Sequence, residues 1–380
     1  MVPYITKRIT FMSRFLRPTE AFTLTVDFLY YAYHQIARTS LYRLAISYPP
    51  DFHDKTVLDV GSGSGILSFF ALQTGAKKVY AVEASNVASS LSKLIQGNPW
   101  IGGKIEVINQ KIEDAEGIRL IDTIISEPLG VFLLHERMVE SFLYARKFLK
   151  PNGRMYPNTG TIQISAFSDH YLHSETLRKA SFWEQTSFFG VDLSILKDQA
   201  KREVFESVIV GPIDPFCLIS GCSSITFDFE KCNVEELYAF TVPIDWVIYR
   251  PGLLHGIVGW FDVTFPSSHV LSTSPMCQRT HWQQTRFLFH SPLSVLPNQR
   301  ITGKLYGKVT AARSYILSAE ILSLGETRHG EWNLEDQTYW YGLEGWDPHT
   351  AAGVVDQTHQ NWYVPQPEQQ IETPGYPWAQ

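Results

Sequence analysis

Lys55-Thr-Val-Leu-Asp-Val-Gly-Ser-Gly-Ser-Gly65 is the stretch on which the fold turns. Its first half, Lys55–Val60, reads as a short buried strand. Its second half alternates glycine with serine, so the backbone can turn sharply and come close to a ligand. Taken alone, such a turn also serves dinucleotides, or is no more than a tight bend. Working outward, Lys78–Glu83, Ile105–Ile108 and Asp122–Glu127 read as three more strands separated by amphipathic segments. That alternation predicts an α/β Rossmann-like sheet with crossover helices. A helix is expected next, with Leu134, Met138, Phe142 and Leu149 near one face and Pro151-Asn152-Gly153 as its stop. Further on, Thr161–Ala166 and His255–Phe265 alternate polar with apolar residues, the pattern of antiparallel strands. The predicted divisions are a helical segment at 1–50, the α/β domain at 51–155, a β-rich domain at 156–330 and an irregular tail at 331–380.

Bulk properties set limits on function. Of 380 residues, 44% are hydrophobic and 18% charged, enough for a packed core. The net charge of −6 argues against a sequence-specific nucleic-acid binder and favours a cationic partner. The four cysteines, Cys217, Cys222, Cys232 and Cys277, form no C-x-x-C pair, so no metal site is expected and free thiols in a reducing compartment are. No compact apolar leader and no run of 18 apolar residues is present, so a soluble protein of the nucleus or cytoplasm, with no membrane partner, is expected.

Two carboxylates sharpen the glycine turn. Glu83 ends the second strand, where an acidic side chain accepts hydrogen bonds from ribose hydroxyls. Glu113 follows the third, within reach of an exocyclic amine; the plain alternative for each is a solvated glutamate at a strand end. The turn is G-x-G-x-G and lacks G-x-G-x-x-G spacing, which weighs against a pyrophosphate and suits adenosine with an amino-acid tail.

The chemistry concentrates in Ser126-Glu-Pro-Leu-Gly-Val-Phe-Leu-Leu-His-Glu-Arg-Met138. Glu127 leaves the carboxyl end of the fourth strand, where open α/β sheets place ligands. Glu136 follows nine residues on, and a loop with Pro128 and Gly130 can fold back to bring both to one pocket. Adjacent carboxylates repel unless a cation neutralises them. A guanidinium, planar and permanently charged, fits.

These segments resemble protein arginine methyltransferases that use S-adenosylmethionine. The double-glutamate segment is similar to the family's hairpin, Val57–Gly65 to its first motif and Val79–Ser85 to its second. Thr280-His-Trp282 resembles its Thr-His-Trp loop. Ser181-Phe-Trp183 and Phe189–Leu193 are similar to its dimerisation arm. Asp51-Phe-His-Asp-Lys55, Ser126-Glu-Pro128 and Phe188–Ser194 point to the coactivator-associated branch. The likeness spans roughly residues 35–325.

The resemblance implies a β-barrel-like second domain carrying a helical dimerisation arm at about 181–205, and a homodimer. It implies that residues 1–50 cover the cofactor, S-adenosyl-L-methionine. Asp59, Gly61, Gly63 and Gly65 would pass beneath the cofactor, Glu83 would hold its ribose, Glu113 its adenine amine and Arg38 its carboxylate, with Ser141 nearby. Glu127 and Glu136 would grip the substrate guanidinium, with His281 beside them, and proteins with accessible arginines, such as histones or RNA-binding proteins, would be the substrates. The expected product is mono- and asymmetric dimethylarginine. The family's Tyr-Phe-x-x-Tyr helix has no counterpart: Thr19 and Thr23 hold the matching positions. Gln35 replaces the aspartate that partners the loop histidine, Ala32 replaces a methionine, and Val131 stands where tyrosine is frequent. These departures favour one alternative, a catalytically weak paralogue that binds an active enzyme. A nicotinamide-dependent oxidoreductase would explain the glycine turn and Glu83 but not the hairpin.

Overall fold

In the computed structural model the described residues are 36–118 and 120–340. Gln35, Ala32, Thr19, Thr23 and the tail beyond residue 340 lie outside them. Helix α1 (Ile36–Ile46) leads into strand β1 (Thr56–Val60), whose apolar run is buried almost throughout. A continuous apolar run suits a strand covered on both faces. Strands β2 (Lys78–Val82), β3 (Ile105–Ile108), β4 (Ile121–Ser126) and β5 (Leu149–Tyr156) complete a parallel sheet in the order β3-β2-β1-β4-β5. Helices α2 (Ile66–Gln73) and α3 (Val87–Gln96) make the first crossovers. The order reverses between β1 and β4, which opens a crevice at their carboxyl ends. The glycine turn and Glu127 both emerge there.

One helix differs from expectation. Helix α4 covers only Met138–Tyr144, and a 3-10 turn, Ala145–Phe148, follows it. Leu149 and the supposed stop Pro151-Asn152-Gly153 lie inside β5. An edge strand tolerates proline because one side of its backbone needs no partner. The register shifts opposite Ile121 and Thr123, and Asn152 takes a φ of 66° to absorb the irregularity.

The second sheet joins β6 (Thr159–Phe167), β7 (Ser207–Gly211), β8 (Leu218–Asp228), β9 (Ala239–Val247), β10 (Gly252–Thr264), β12 (Gln284–Val295), β13 (Arg300–Val309), β14 (Tyr315–Ser323) and β15 (Glu326–Tyr339), with β11 (Val270–Ser272) paired to β10. Its order is β8-β6-β10-β12-β7-β15-β14-β13-β9. The outermost strands meet: Ser220 pairs with Ile248, and the Tyr249 N–H donates to the Ile219 carbonyl at 3.1 Å. The sheet is therefore a nearly closed barrel, antiparallel except where β15 runs parallel to β7. Strand β15 corrects the tail expected from residue 331. Its polar sequence hides a strand because only Trp332 and Leu334 turn fully inward.

The segment expected as an arm, about 181–205, is the link and second helix of a helix pair, α5 (His170–Ser181) and α6 (Lys197–Glu206). The Asp169 carboxylate caps α5 by accepting from the Leu172 N–H. In the link between the helices, Phe182 packs edge-to-face on Trp183 and Phe188, and Phe188 on Phe189. Phe189 is 93% exposed and Ile195 78%. One apolar core runs from the parallel sheet into the barrel, through Leu58, Phe132, Phe142, Phe287 and Trp332. Helices, hairpin and barrel thereby share a rigid floor beneath the crevice.

Candidate active site

The hairpin after β4 is built from left-handed backbone. Phe132 and Leu133 have φ of 54° and 69°, and Glu136 and Arg137 have 75° and 58°. The Gly130 N–H donates to the Leu133 carbonyl at 3.0 Å, closing the turn. A Cβ on Gly130 would sit 1.9 Å from the His135 carbonyl oxygen, so only glycine admits the fold-back. Phe132, Leu133 and Leu134 are buried, and Phe132 meets Phe287 of the barrel edge-to-face at 5.3 Å. Burying these apolar residues anchors a turn that its backbone alone would not hold.

That turn delivers both carboxylates to one cavity of about 580 Å³, bordered by Glu127, Glu136, Arg38, Glu83, Gly61, Gly63 and His281. Arg38 Nη1 donates to Glu127 Oε2 at 3.1 Å. Burial pushes the Glu127 carboxyl up to about 7, against the pull of the Arg38 charge and the Leu129 N–H, while Glu136 pushes the same way as burial. Glu136 is also raised, chiefly by burial, with Arg313 opposing and Glu335 adding to it. His281 is driven down to about 3 by burial and by Arg38, so its imidazole is neutral at physiological pH.

The glycine turn is locked to the sheet. Gly61 and Ser62 N–H groups donate to the Val82 carbonyl at 2.9 and 3.0 Å. The Glu83 carboxylate accepts from Gly63 N–H at 2.9 Å and Ser85 N–H at 2.8 Å. Gly65 has a φ of 80°, and a Cβ there would lie 2.3 Å from Leu91 Cδ1. Asp59 is wholly buried beneath the turn; Ser68 Oγ donates to its Oδ2 at 2.6 Å, and burial raises its carboxyl to about 7.

Two expected residues stand apart. Ser141 Oγ donates to Glu113 Oε1 at 2.7 Å, but neither lines the main cavity. Glu113 instead borders a separate hollow of about 400 Å³ with Tyr144 and Tyr238. His281 does join the glutamates at the cavity, its ring centroid 3.9 Å from that of Trp282.

A model of the arginine methyltransferase oligomerization subdomain matches residues 158–319, and one of ribosomal protein L11 methyltransferase matches residues 34–147. The chain is 38% identical over 371 residues to histone-arginine methyltransferase CARMER of Drosophila persimilis, covering 94% of this chain and 70% of the relative. The chain belongs to the protein arginine methyltransferase family. It is 42% identical over 318 residues to the probable histone-arginine methyltransferase CARM1 of Oryza sativa subsp. indica, and spans 60% of that relative's length. Among solved structures, the Trypanosoma brucei PRMT1 enzyme-prozyme heterotetrameric complex with AdoHcy superposes with a TM-score of 0.71 at 27% identity. That match covers 79% of this chain and 95% of that one. Arabidopsis thaliana protein arginine methyltransferase 10 gives the same score and identity, with coverage of 78% and 95%.

Three features of this cavity were not singled out from sequence. Tyr42 sits one helical turn beyond Arg38 and borders the cavity with it; that i, i+4 spacing was a readable signal. Tyr339 reaches the cavity from the far end of β15, with no local motif to announce it. Trp282 Nε1–H donates to the Leu129 carbonyl at 2.9 Å, clasping the Thr-His-Trp loop to the hairpin two residues past Glu127.

Proposed function

We propose that this protein transfers methyl groups from S-adenosylmethionine to guanidino nitrogens of arginines in proteins, giving mono- and asymmetric dimethylarginine. The observation that carries this reading is that Glu127 and Glu136 border the same cavity as Glu83 and the glycine turn. The cavity fits the cofactor in size, within the roughly 300–1,000 Å³ common for small-molecule sites. It fits in chemistry as well. Tyr42 Oη and Ser62 Oγ, at its wall, and Asp59 Oδ1, beneath the turn, are buried polar atoms with no partner among the described residues. Buried polar atoms call for a hydrogen-bonding neighbour.

S-adenosylmethionine, when bound, supplies an electrophilic methyl on a sulfonium. In this reading Arg38 pairs with its carboxylate, Glu83 accepts from the ribose hydroxyls, and the turn at Gly61, Gly63 and Gly65 lies below with Asp59 under it. Glu113, held by the Ser141 hydroxyl, borders the neighbouring hollow, and it meets the adenine amine only if the base extends from the cavity into that hollow. Glu127 and Glu136 hold the substrate guanidinium and draw its positive charge onto the nitrogens that face them. The remaining terminal nitrogen keeps more electron density and is aimed at the methyl. The cation in turn keeps both carboxylates ionised, since opposite charge favours the charged form. Once methylated, the nitrogen must shed a proton, and Glu127, poised near neutrality, accepts it. His281 stays neutral and orients the neighbouring groups.

The substrates on this reading are histones or RNA-binding proteins, met in the nucleus or cytoplasm, and the acting species is a homodimer joined through the arm. The test is mass spectrometry of arginine peptides incubated with labelled cofactor. The wild type is expected to yield mono- and asymmetric dimethylarginine, and Glu127→Gln none. Absence of turnover by the wild type would overturn the reading in favour of a binding paralogue.

A further inference from the structure

Glu136 opens the second left-handed stretch of the hairpin, with φ of 75° at itself and 58° at Arg137. Side chains other than glycine adopt such backbone only where surroundings over-determine it. The hairpin is closed tightly at its tip, by Gly130 N–H to Leu133 O at 3.0 Å and Leu134 N–H to Phe132 O at 2.9 Å, but its bonds beside Glu136 are longer: His135 N–H to Val131 O is 3.3 Å and Arg137 N–H to Leu134 O is 3.2 Å. The residues on either side of Glu136 are instead both tied to one turn of the barrel, between β13 and β14. His135 Nδ1 lies 3.0 Å from Ser314 Oγ, and Ser314 is wholly buried. Arg137 Nη1 donates to the Thr310 carbonyl at 3.4 Å, while its Nε and Nη2 clamp Glu140 at 2.5 and 2.9 Å. Thr310 N–H donates to the Ser314 carbonyl at 2.8 Å, so the two anchor points belong to one closed loop.

We propose that the β13–β14 turn is a brace for the second carboxylate, with Ser314 and His135 as positioning residues that hold Glu136 in the geometry needed to grip a guanidinium. The inference rests on the methyltransferase reading for its consequence, though not for its structural half. Arg313, in the same turn, opposes the burial that raises the Glu136 carboxyl, so the brace also favours the ionised form. Glu127 needs no such brace, because it leaves a β-strand directly and is fixed by β4.

Two measurements on the full chain test this. Hydrogen–deuterium exchange compares the wild type with Ser314→Ala and, should that variant fold poorly, with His135→Leu. Steady-state kinetics on an arginine peptide is read beside calorimetric binding of S-adenosylhomocysteine. Loss of the brace is expected to speed exchange across residues 131–137 while residues 61–65 stay as in the wild type. It is also expected to lower kcat about tenfold with S-adenosylhomocysteine affinity unchanged, as misplaced reactant geometry does. His135→Asn, which keeps a polar partner for Ser314, is expected to recover activity to within about threefold of wild type. Unchanged exchange at 131–137, or a parallel fall in S-adenosylhomocysteine affinity, overturns the brace. A wild type that does not methylate arginine refutes the functional reading instead, and the exchange data alone then decide the brace.

Discussion

Lowering the pH should disarm Glu127 well above the range where a solvated glutamate titrates. Burial holds its carboxyl at about 7 in the ligand-free chain, with Arg38 pulling the other way. Only the ionised form pairs with a guanidinium, which stays charged at every working pH. At pH 7.5 about three quarters of Glu127 is ionised, and at pH 5.5 about 3%, so kcat/KM for an arginine peptide should fall roughly 25-fold between them. Because kcat/KM for the peptide reports the form that has not yet bound peptide, its acid limb should lie at higher pH than that of kcat, where the bound guanidinium has drawn the proton off. The assay is methyl transfer at saturating cofactor in buffers of constant ionic strength, with S-adenosylhomocysteine binding followed over the same range to separate any contribution from Asp59. Arg38→Met, which removes the opposing charge, should move the limb to higher pH. For stability the sign follows from a folded pKa raised above the ordinary value. The contribution is fully present below about 4.5 and is lost as pH rises through about 7, an effect of no more than ~3 kcal/mol for a side chain one quarter exposed. A flat kcat/KM from pH 5.5 to 7.5, or a limb centred near 4.5, would refute the reasoning.

Trp282→Phe should leave the Leu129 carbonyl unpaired in the interior, at a cost of ~1–3 kcal/mol, visible as a lower melting temperature together with reduced turnover. If melting falls while turnover holds, the clasp supports the fold and not the site. In the arm, Phe189 and Ile195 point outward, whereas Trp183 and Phe188 pack within the link. Phe189→Asp combined with Ile195→Asp is therefore the change expected to give a monomer by sedimentation equilibrium, and a double variant that sediments as an unchanged dimer would count against the arm.

The parallel sheet was legible because β1, β3 and β4 are short apolar runs set off by glycine, asparagine or charge, and their ends fell within a residue of expectation. The glycine turn and the double glutamate were legible for a related reason: special backbone and clustered charge leave local marks. What the sequence hid depends on tertiary context. Strand β15 reads as polar because most of its side chains are not buried, leaving Trp332 and Leu334 as the inward pair. Leu149 kept the helical period, yet the chain after Phe148 found a partner in β4, and pairing overrode periodicity. The bond between Trp282 and Leu129 spans 153 positions, and no spacing rule reaches that far. Glu113 with Ser141 shows the converse, a pair suggested by likeness that meets as a pair but away from the cavity.

The parallel pairing of β15 with β7 has a bearing on how the molecule comes into being. The seam between β7 and β14 stays open until the ribosome has delivered the chain as far as Tyr339, so one stone of the cavity wall, Tyr339 itself, is laid last. A product stopped near residue 325 would leave two raw strand edges facing water, an invitation to self-association before any ligand could bind. Quality control of this protein should accordingly turn on the final fifteen or so residues of the barrel, far along the chain from the glycines that first announce it.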